Sequence, residues 1–259
     1  MKINSDLIDQ IVLPRRDSRK GENGKVLVIG GSKLFHVAPF WAAAAASKAC
    51  DIVHFSSPYL LNNELMERRA KGVFWSGIVV PWSDVEHYIH EDDAILIGPG
   101  MERGDETKGI VNTLLQKYPN KKWVVDGGAL QEVLPSLLTN SMIATPNHKE
   151  WEILIGKGGV REGVVVLKKG EVDEIVMGEK QYWVEGGSVA MTKGGTGDIL
   201  SGIVAGLYAK SPALASCYVA SLTNKKAGER LASSRGVFFD ANDLLGVVGE
   251  ELKNIITIL

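Results

Sequence analysis

The sequence predicts an α/β fold: a single domain over residues 1–259, with a mostly parallel central sheet and an antiparallel edge. Three observations carry this prediction. Continuous apolar runs of strand length alternate with helical stretches, as expected of strands covered on both faces. Glycine or polar residues follow those runs in turn, which places a ligand-binding rim at their carboxyl ends. The chain's 259 residues, 45% hydrophobic and 23% charged, suffice for one substantial core.

Lys25–Gly30 (KVLVIG) is a nearly continuous apolar strand ending in glycine. Pro39–Cys50 follows as a helix with Pro39 suited to its first turn, and its Ala42–Ala46 run lets it lie close to the sheet. Ile52–Ser56 is the next strand, then Ala94–Gly98, a helix from Glu106 to Tyr118, and Trp123–Asp126. Met142–Thr145 and Val164–Lys168 add two further strands. Between Glu174 and Met191 the rhythm changes. The segments IVM, QYWV and SVAM read as short strands joined at Gly178–Glu179 and Gly186–Gly187, forming hairpins on one edge. Leu200–Lys210, Pro212–Ala232 and Asp243–Ile256 read as helices. No period of 20–50 residues repeats and no low-complexity linker divides the chain.

Composition excludes several classes. Lys plus Arg is 29 and Asp plus Glu is 31, so the net charge of −2 gives no global attraction to nucleic acid or to an anionic membrane. The apolar window Ala38–Ala46 is too short to span a bilayer, and the first residues lack the apolar stretch of a signal peptide. Cys50 and Cys217 lie far apart and form no metal-ligand pair, which fits a reducing compartment. The expectation is a soluble cytoplasmic protein with no nucleic-acid or membrane partner.

Five strand ends carry the chemistry: Gly30-Gly31-Ser32, Gly98-Pro99-Gly100, Asp126-Gly127-Gly128, Thr145-Pro146-Asn147 and Lys168-Lys169-Gly170. Their convergence on one rim predicts a large polar ligand bearing phosphate. The sharpest motif is Thr192-Lys193-Gly194-Gly195-Thr196-Gly197-Asp198, opening into the apolar helix ILSGIVAGLYA. Glycines let successive amides turn to one point, and the helix start adds free N–H groups and a positive dipole end. Such an anion hole suits a phosphoryl group, with Asp198 at its lip to accept the proton of an attacking hydroxyl. The competing structural reading is a merely flexible turn with Asp198 as a helix N-cap; the motif's expected position after a strand and the other rim glycines favour the anion hole.

Other nucleotide motifs are absent. Gly21-Glu22-Asn23-Gly24-Lys25-Val26 lacks the spacing and hydroxyl of G-x-x-x-x-G-K-[ST], and no G-x-G-x-x-G follows the first strand. His87 and His90 precede Glu91, Asp92 and Asp93 without a third well-placed ligand, so they read as a solvated turn and no metal ligand is assigned. His54 reads as a satisfied core histidine, and Trp41, Trp75, Trp82, Trp123, Trp151 and Trp183 as core or rim packing.

Taken in order, the motifs resemble those of the ADP/ATP-dependent NAD(P)H-hydrate dehydratases, a branch of the ribokinase-like superfamily. The resemblance runs from Leu13 to Leu245. It rests on Leu13-Pro14-x-Arg16, Lys20-Gly21-x-x-Gly24-Lys25-Val26, Ile29-Gly30-Gly31-Ser32, Ala38-Pro39 and Ile97-Gly98-Pro99-Gly100. Thr145-Pro146 with Glu150, Leu167-Lys168, Gly194-Gly195-Thr196-Gly197-Asp198 with Ser201-Gly202, and Asp243-Leu244 complete the series.

The resemblance implies a ribokinase-like three-layer α/β/α fold and a repair reaction. ADP or ATP, with Mg²⁺, phosphorylates the ring hydroxyl of hydrated NADH or NADPH, and elimination of phosphate restores the double bond. It implies Asp198 as base and the amides of Gly195, Thr196 and Gly197 as the phosphoryl cradle. Ala38, Gly100, Asn147 and Asp198 would face the hydrated nucleotide. Lys168, Lys169, Gly170, Glu171, Val172 and Gly197 would contact the AMP portion of the donor. Mg²⁺ would bridge donor phosphates with few protein ligands.

The chain departs from the family pattern at four places. Asn147 stands where the family has His after Thr-Pro, and Asn can hydrogen-bond but cannot carry a proton. Val37 replaces a small Gly before Ala-Pro, Glu102 stands where a Gly often follows, and Lys169 separates Lys168 from Gly170. These departures sustain an alternative, a small-molecule kinase of the same superfamily acting on a hydroxyethylthiazole-like or sugar alcohol, and a third reading, a nucleotide-binding protein without turnover. The epimerase domain common ahead of this one is not expected, and the Trp-bearing hairpins at 174–191 are the expected surface for homo-oligomer formation.

Overall fold

The computed structural model describes residues 3–72 and 77–257, with residues 70–72 as backbone only. Along the chain, α1 (Ser5–Ile8) precedes β1 (Lys25–Ile29), α2 (Ala38–Ala46), β2 (Ile52–Ser56), α3 (Leu60–Gly72) and β3 (Gly77–Val79). Next come α4 (Val85–Glu91), β4 (Ala94–Ile97), α5 (Asp105–Lys117), β5 (Lys122–Val125) and α6 (Gly127–Glu132). β6 (Met142–Ala144), α7 (His148–Gly156), β7 (Val165–Lys168), β8 (Asp173–Met177) and β9 (Lys180–Val184) lead to three helices: α8 (Thr196–Tyr208), α9 (Ala213–Arg235) and α10 (Ala241–Ile256).

The strands form one nine-stranded sheet in the order β3-β2-β1-β4-β5-β6-β7-β8-β9. Pairing is parallel as far as β7 and antiparallel for β7–β8 and β8–β9. Alternation along each strand divides the core in two. Val26 and Val28 join the layer of α2, α8, α9 and α10, while Leu27 and Ile29 join the layer of α4 to α7. This three-layer arrangement explains why β1 and β4 are apolar at successive positions.

The alanine run of α2 lies buried in one core with Val26, Val28 and Val53 of the sheet, as expected, and it also admits a second helix. A side chain on Gly202 would begin 2.2 Å from the carbonyl oxygen of Ala42, so α8 lies directly against the α2 backbone. Small residues on both helices permit that approach, and it fixes the position of the α8 amino end.

SVAM is not a strand. Val189–Thr192 is a 3-10 turn in which the Ser188 hydroxyl accepts from Ala190 N at 3.3 Å. The glycine motif therefore follows this turn and not a strand. His54 is buried with Nδ1 2.9 Å from Asp92 Oδ2, the satisfied core histidine expected. His87 and His90 sit on α4 and not in a turn, with His87 Nε2 3.7 Å from Glu91. Trp123 is fully buried, Trp41, Trp82 and Trp151 pack at the core margins, Trp183 is exposed, and Trp75 lies outside the described residues. Among the described residues no helix is long and apolar enough to cross a membrane, and Cys50 and Cys217 are unpaired.

Candidate active site

The strand ends do converge. Backbone hydrogen bonds stitch them into one rim: Gly98 N to Ile29 O at 3.0 Å, Asp126 N to Ile97 O at 3.0 Å, Thr145 N to Val125 O at 3.1 Å and Lys169 N to Pro146 O at 2.8 Å. Gly98 is held at φ +122° so close to the next loop that a side chain would begin 1.8 Å from Asp126 O. Glycine is required there because the β4 and β5 ends meet backbone to backbone. The Lys20–Val26 motif serves the opposite edge, where Asp51 accepts from Gly21 N at 2.9 Å at the amino end of β1.

The glycine motif opens α8. Gly195 is its N-cap in the left-handed region at φ +98°, with no side-chain cap. A side chain on Gly195 would begin 2.6 Å from Ala241 Cβ and 2.8 Å from Trp41 Cδ1. The Thr196 hydroxyl points back to the Met191 carbonyl at 2.6 Å, locking the turn and leaving its amide at the helix start. Asp198 is in the first turn and is not the cap, so the structural reading that made it one is corrected. The first-turn amides and the helix dipole remain available to an anion.

Against this helix start lies a cluster of charged groups from the ends of β5 and β7 and from the first turn of α7. Lys169 Nζ is 2.6 Å from Asp126 Oδ1 and 3.5 Å from the point where a Gly197 side chain would begin. Thr145 donates to Asp126 Oδ1 at 2.8 Å. Burial, then the neighbouring carboxylates Asp126 and Glu150, push Asp198 up to about 7 against the opposing pull of Lys169. Burial also raises Glu150. Desolvation works against the charge on Lys169, but Asp126, Glu150 and Asp198 together outweigh it and hold its pKa above the ordinary value. A carboxylate tuned near neutrality beside an anion hole is suited to take a proton from a hydroxyl.

The remaining sequence-predicted residues fall on either side of this centre. Ala38 opens α2, and a side chain on Gly100 would begin 3.2 Å from Ala38 Cβ, so these two are neighbours. Trp41, one turn further along α2, reaches Gly195 and joins that side to the glycine turn. Asn147 is exposed and caps α7 in a reciprocal box with Glu150: Glu150 N donates to Asn147 Oδ1 at 3.0 Å, and Asn147 N to Glu150 Oε2 at 2.9 Å. Val37 is exposed at the N-cap of α2, and Glu102 accepts from Leu34 N at 3.1 Å.

Gly170, Glu171 and Val172 form the turn after β7. Strand alternation sends the side chains of Lys168 and Lys169 in opposite directions. The Lys168 ammonium lies over the Trp151 ring at 4.4 Å and pairs with Glu174 at 2.8 Å, lining an open groove of about 240 Å³ away from Asp198. Only Lys169 of the two brings its side chain to the cluster. Asp126, on one of the five strand ends, and Glu150, in the Thr145-Pro146 motif, were given no individual role from sequence. Among the described residues no group of three or more His, Cys, Asp or Glu is arranged to hold a metal ion.

A family profile described as NAD(P)H-hydrate dehydratase matches residues 26–248. The chain is 32% identical to the ADP-dependent (S)-NAD(P)H-hydrate dehydratase of Cenarchaeum symbiosum, over 92% of each protein. It is 31% identical to the bifunctional NAD(P)H-hydrate repair enzyme of Methanocaldococcus jannaschii over 95% of this chain, spanning about half (52%) of that longer relative. The ADP/ATP-dependent NAD(P)H-hydrate dehydratase of Bacillus subtilis, co-crystallized with ATP and Mg²⁺, superposes with a TM-score of 0.81 at 19% identity, covering 97% of this chain and 96% of that one. The fold is the ribokinase-like one.

Proposed function

The chain belongs to the NAD(P)H-hydrate dehydratase family, and on that premise we propose how its own residues carry the reaction. It is a nucleotide-dependent carbon–oxygen lyase that restores hydrated NADH and NADPH, with ADP or ATP as phosphoryl donor and Mg²⁺. We assign ADP as the working donor, since the full-length relative from Cenarchaeum symbiosum is named for it.

The observation that carries the mechanism is Asp198 in the first turn of α8, beside the Gly195 turn and facing Lys169. Asp198 takes the proton of the ring hydroxyl as that oxygen forms its bond to the donor's terminal phosphorus. The donor's bridging P–O bond breaks, and the amides of Gly195, Thr196 and Gly197 hold the transferred group. Loss of phosphate from the ring carbon and of a proton from its neighbour then restores the double bond. Lys169 stands by the α8 start, where its positive charge balances the incoming phosphates. Ala38, Gly100 and Asn147 line the hydrate side. The segment from Lys168 to Val172, with Gly197, receives the AMP portion. Mg²⁺, bound with the polyanionic donor beside Lys169 and the Gly195–Gly197 amides, would withdraw charge from the transferred group.

A cytoplasmic location is part of the proposal and agrees with two unpaired cysteines. Self-association through the exposed β8–β9 hairpin, where Trp183 is 52% exposed, is likewise proposed.

The test is incubation with Mg²⁺ and hydrated NADH, with ADP and ATP in parallel. The proposal expects dihydronicotinamide absorbance to return with one free phosphate released per ring restored. A phosphorylated product that persists would identify a kinase instead.

A further inference from the structure

Lys225 of α9 is buried at 6% exposure, yet its ammonium makes two hydrogen bonds and an ion pair. Nζ donates to the carbonyls of Gly170 at 2.6 Å and Glu171 at 2.7 Å, and lies 3.5 Å from Asp173 Oδ1. Asp173 also accepts from Gly170 N at 2.9 Å and from the Ser221 hydroxyl at 2.7 Å. The Lys225 stem supports a second segment as well. A side chain on Gly187 would begin 3.0 Å from Lys225 Cδ, and Glu229, one turn along α9, accepts from Gly187 N at 3.3 Å. One lysine therefore grips the turn after β7 and underlies the turn that leads into the glycine motif.

A charge this buried is tolerated only when paired and fully hydrogen-bonded. Without it, two carbonyl oxygens and a buried carboxylate would stand unneutralised behind the turn, a poor setting for a polyanion. We propose that Lys225 is a positioning residue for the phosphoryl donor: it fixes residues 169–172 in their donor-receiving shape and cancels the charge of Asp173 behind them. The inference rests on the reading that this turn receives the donor. Fixing the turn beforehand removes an ordering cost from donor binding and leaves hydrate binding unaffected.

The test compares KM for MgADP, KM for the hydrate and kcat in two variants. The double variant Lys225→Met/Asp173→Asn removes both charges together, so it avoids an unpaired buried ion if Lys225→Met alone does not fold. Val172→Asp places a negative charge on the turn itself. The loss of charged hydrogen bonds predicts a MgADP KM raised about ten- to a hundredfold in the double variant, with hydrate KM unchanged. If Val172→Asp raises the MgADP KM while the folded double variant keeps the wild-type value, the positioning role is overturned and the reading of the turn stands. If neither variant moves it, the reading of the turn falls, and the positioning role with it. Both KM values unchanged in the double variant with a lower kcat would mark a purely structural lysine and also overturn the proposal.

Discussion

Lys169 Nζ lies 2.6 Å from Asp126 Oδ1, and this pair sets the charge felt by Asp198 on the neighbouring helix start. Asp126 raises the Asp198 pKa and Lys169 lowers it, so removing one or the other shifts the base in opposite directions. Lys169→Met is expected to move the acid limb of the kcat/KM profile to higher pH, and Asp126→Asn to lower pH. Lys169→Met also leaves a buried carboxylate without its partner, at a cost of about 3–5 kcal/mol in stability. Paired pH profiles and melts of the two variants check both statements.

In the wild type, Asp198 works as a base only when ionised, and its pKa of about 7 places that change near neutrality. Below the pKa, kcat/KM is expected to fall about tenfold per pH unit, and above it to level off. An acid limb near the ordinary carboxylate value would contradict the burial argument.

The same shift has a stability consequence of the opposite sense. The folded state holds the Asp198 proton up to about pH 7, whereas the unfolded chain releases it near the ordinary value of 3.8. Stability from this group is therefore present at low pH and lost as pH rises through 7. Asp198→Asn is expected to stabilise the ligand-free protein at pH 8 by about 1–2 kcal/mol, or roughly 2–4 °C per kcal/mol in Tm. The gain should shrink at pH 5, and melting curves at the two pH values measure it.

Backbone placement makes two glycines critical in different ways. Gly202→Ala puts a methyl group into the Ala42 carbonyl, and forcing α8 from α2 costs about 1–3 kcal/mol or more. Gly195→Ala adds positive-φ strain to contact with Ala241 and Trp41, and distorts the phosphoryl cradle. Loss of aligned donors there is expected to lower kcat about 10²–10³-fold. Melting temperature and kcat, read together on both variants, separate these effects.

Legibility in the sequence followed the strength of each local signal. β1, β4, β5, β6 and β7 stand out because burial on both faces makes them largely apolar, and the glycine or polar residues at their ends mark the rim. β3, a three-residue edge strand, and α6, a six-residue helix, carry too little pattern to be read. SVAM alternates like a strand, but the Ser188 hydroxyl closes a turn instead, a local hydrogen bond that periodicity does not reveal. In the site, Asp198 and its glycines were legible because they are contiguous. Asp126 and Lys169 were legible as rim positions, but their assembly with Glu150 into one charged cluster was not, because it joins two strand ends and the first turn of α7 and depends on which face each side chain takes. Two-residue alternation separates Lys168 from Lys169 once the strand register is known.

The most direct test of the central claim is the single-turnover rate of Asp198→Asn with saturating MgADP and hydrated NADH, alongside its affinity for MgADP. A base at the lip of an intact anion hole predicts a rate about 10²–10⁴-fold below wild type with donor affinity retained. A rate within a few-fold of wild type would mean that the ring hydroxyl loses its proton elsewhere, and would contradict the assignment of Asp198 as the base.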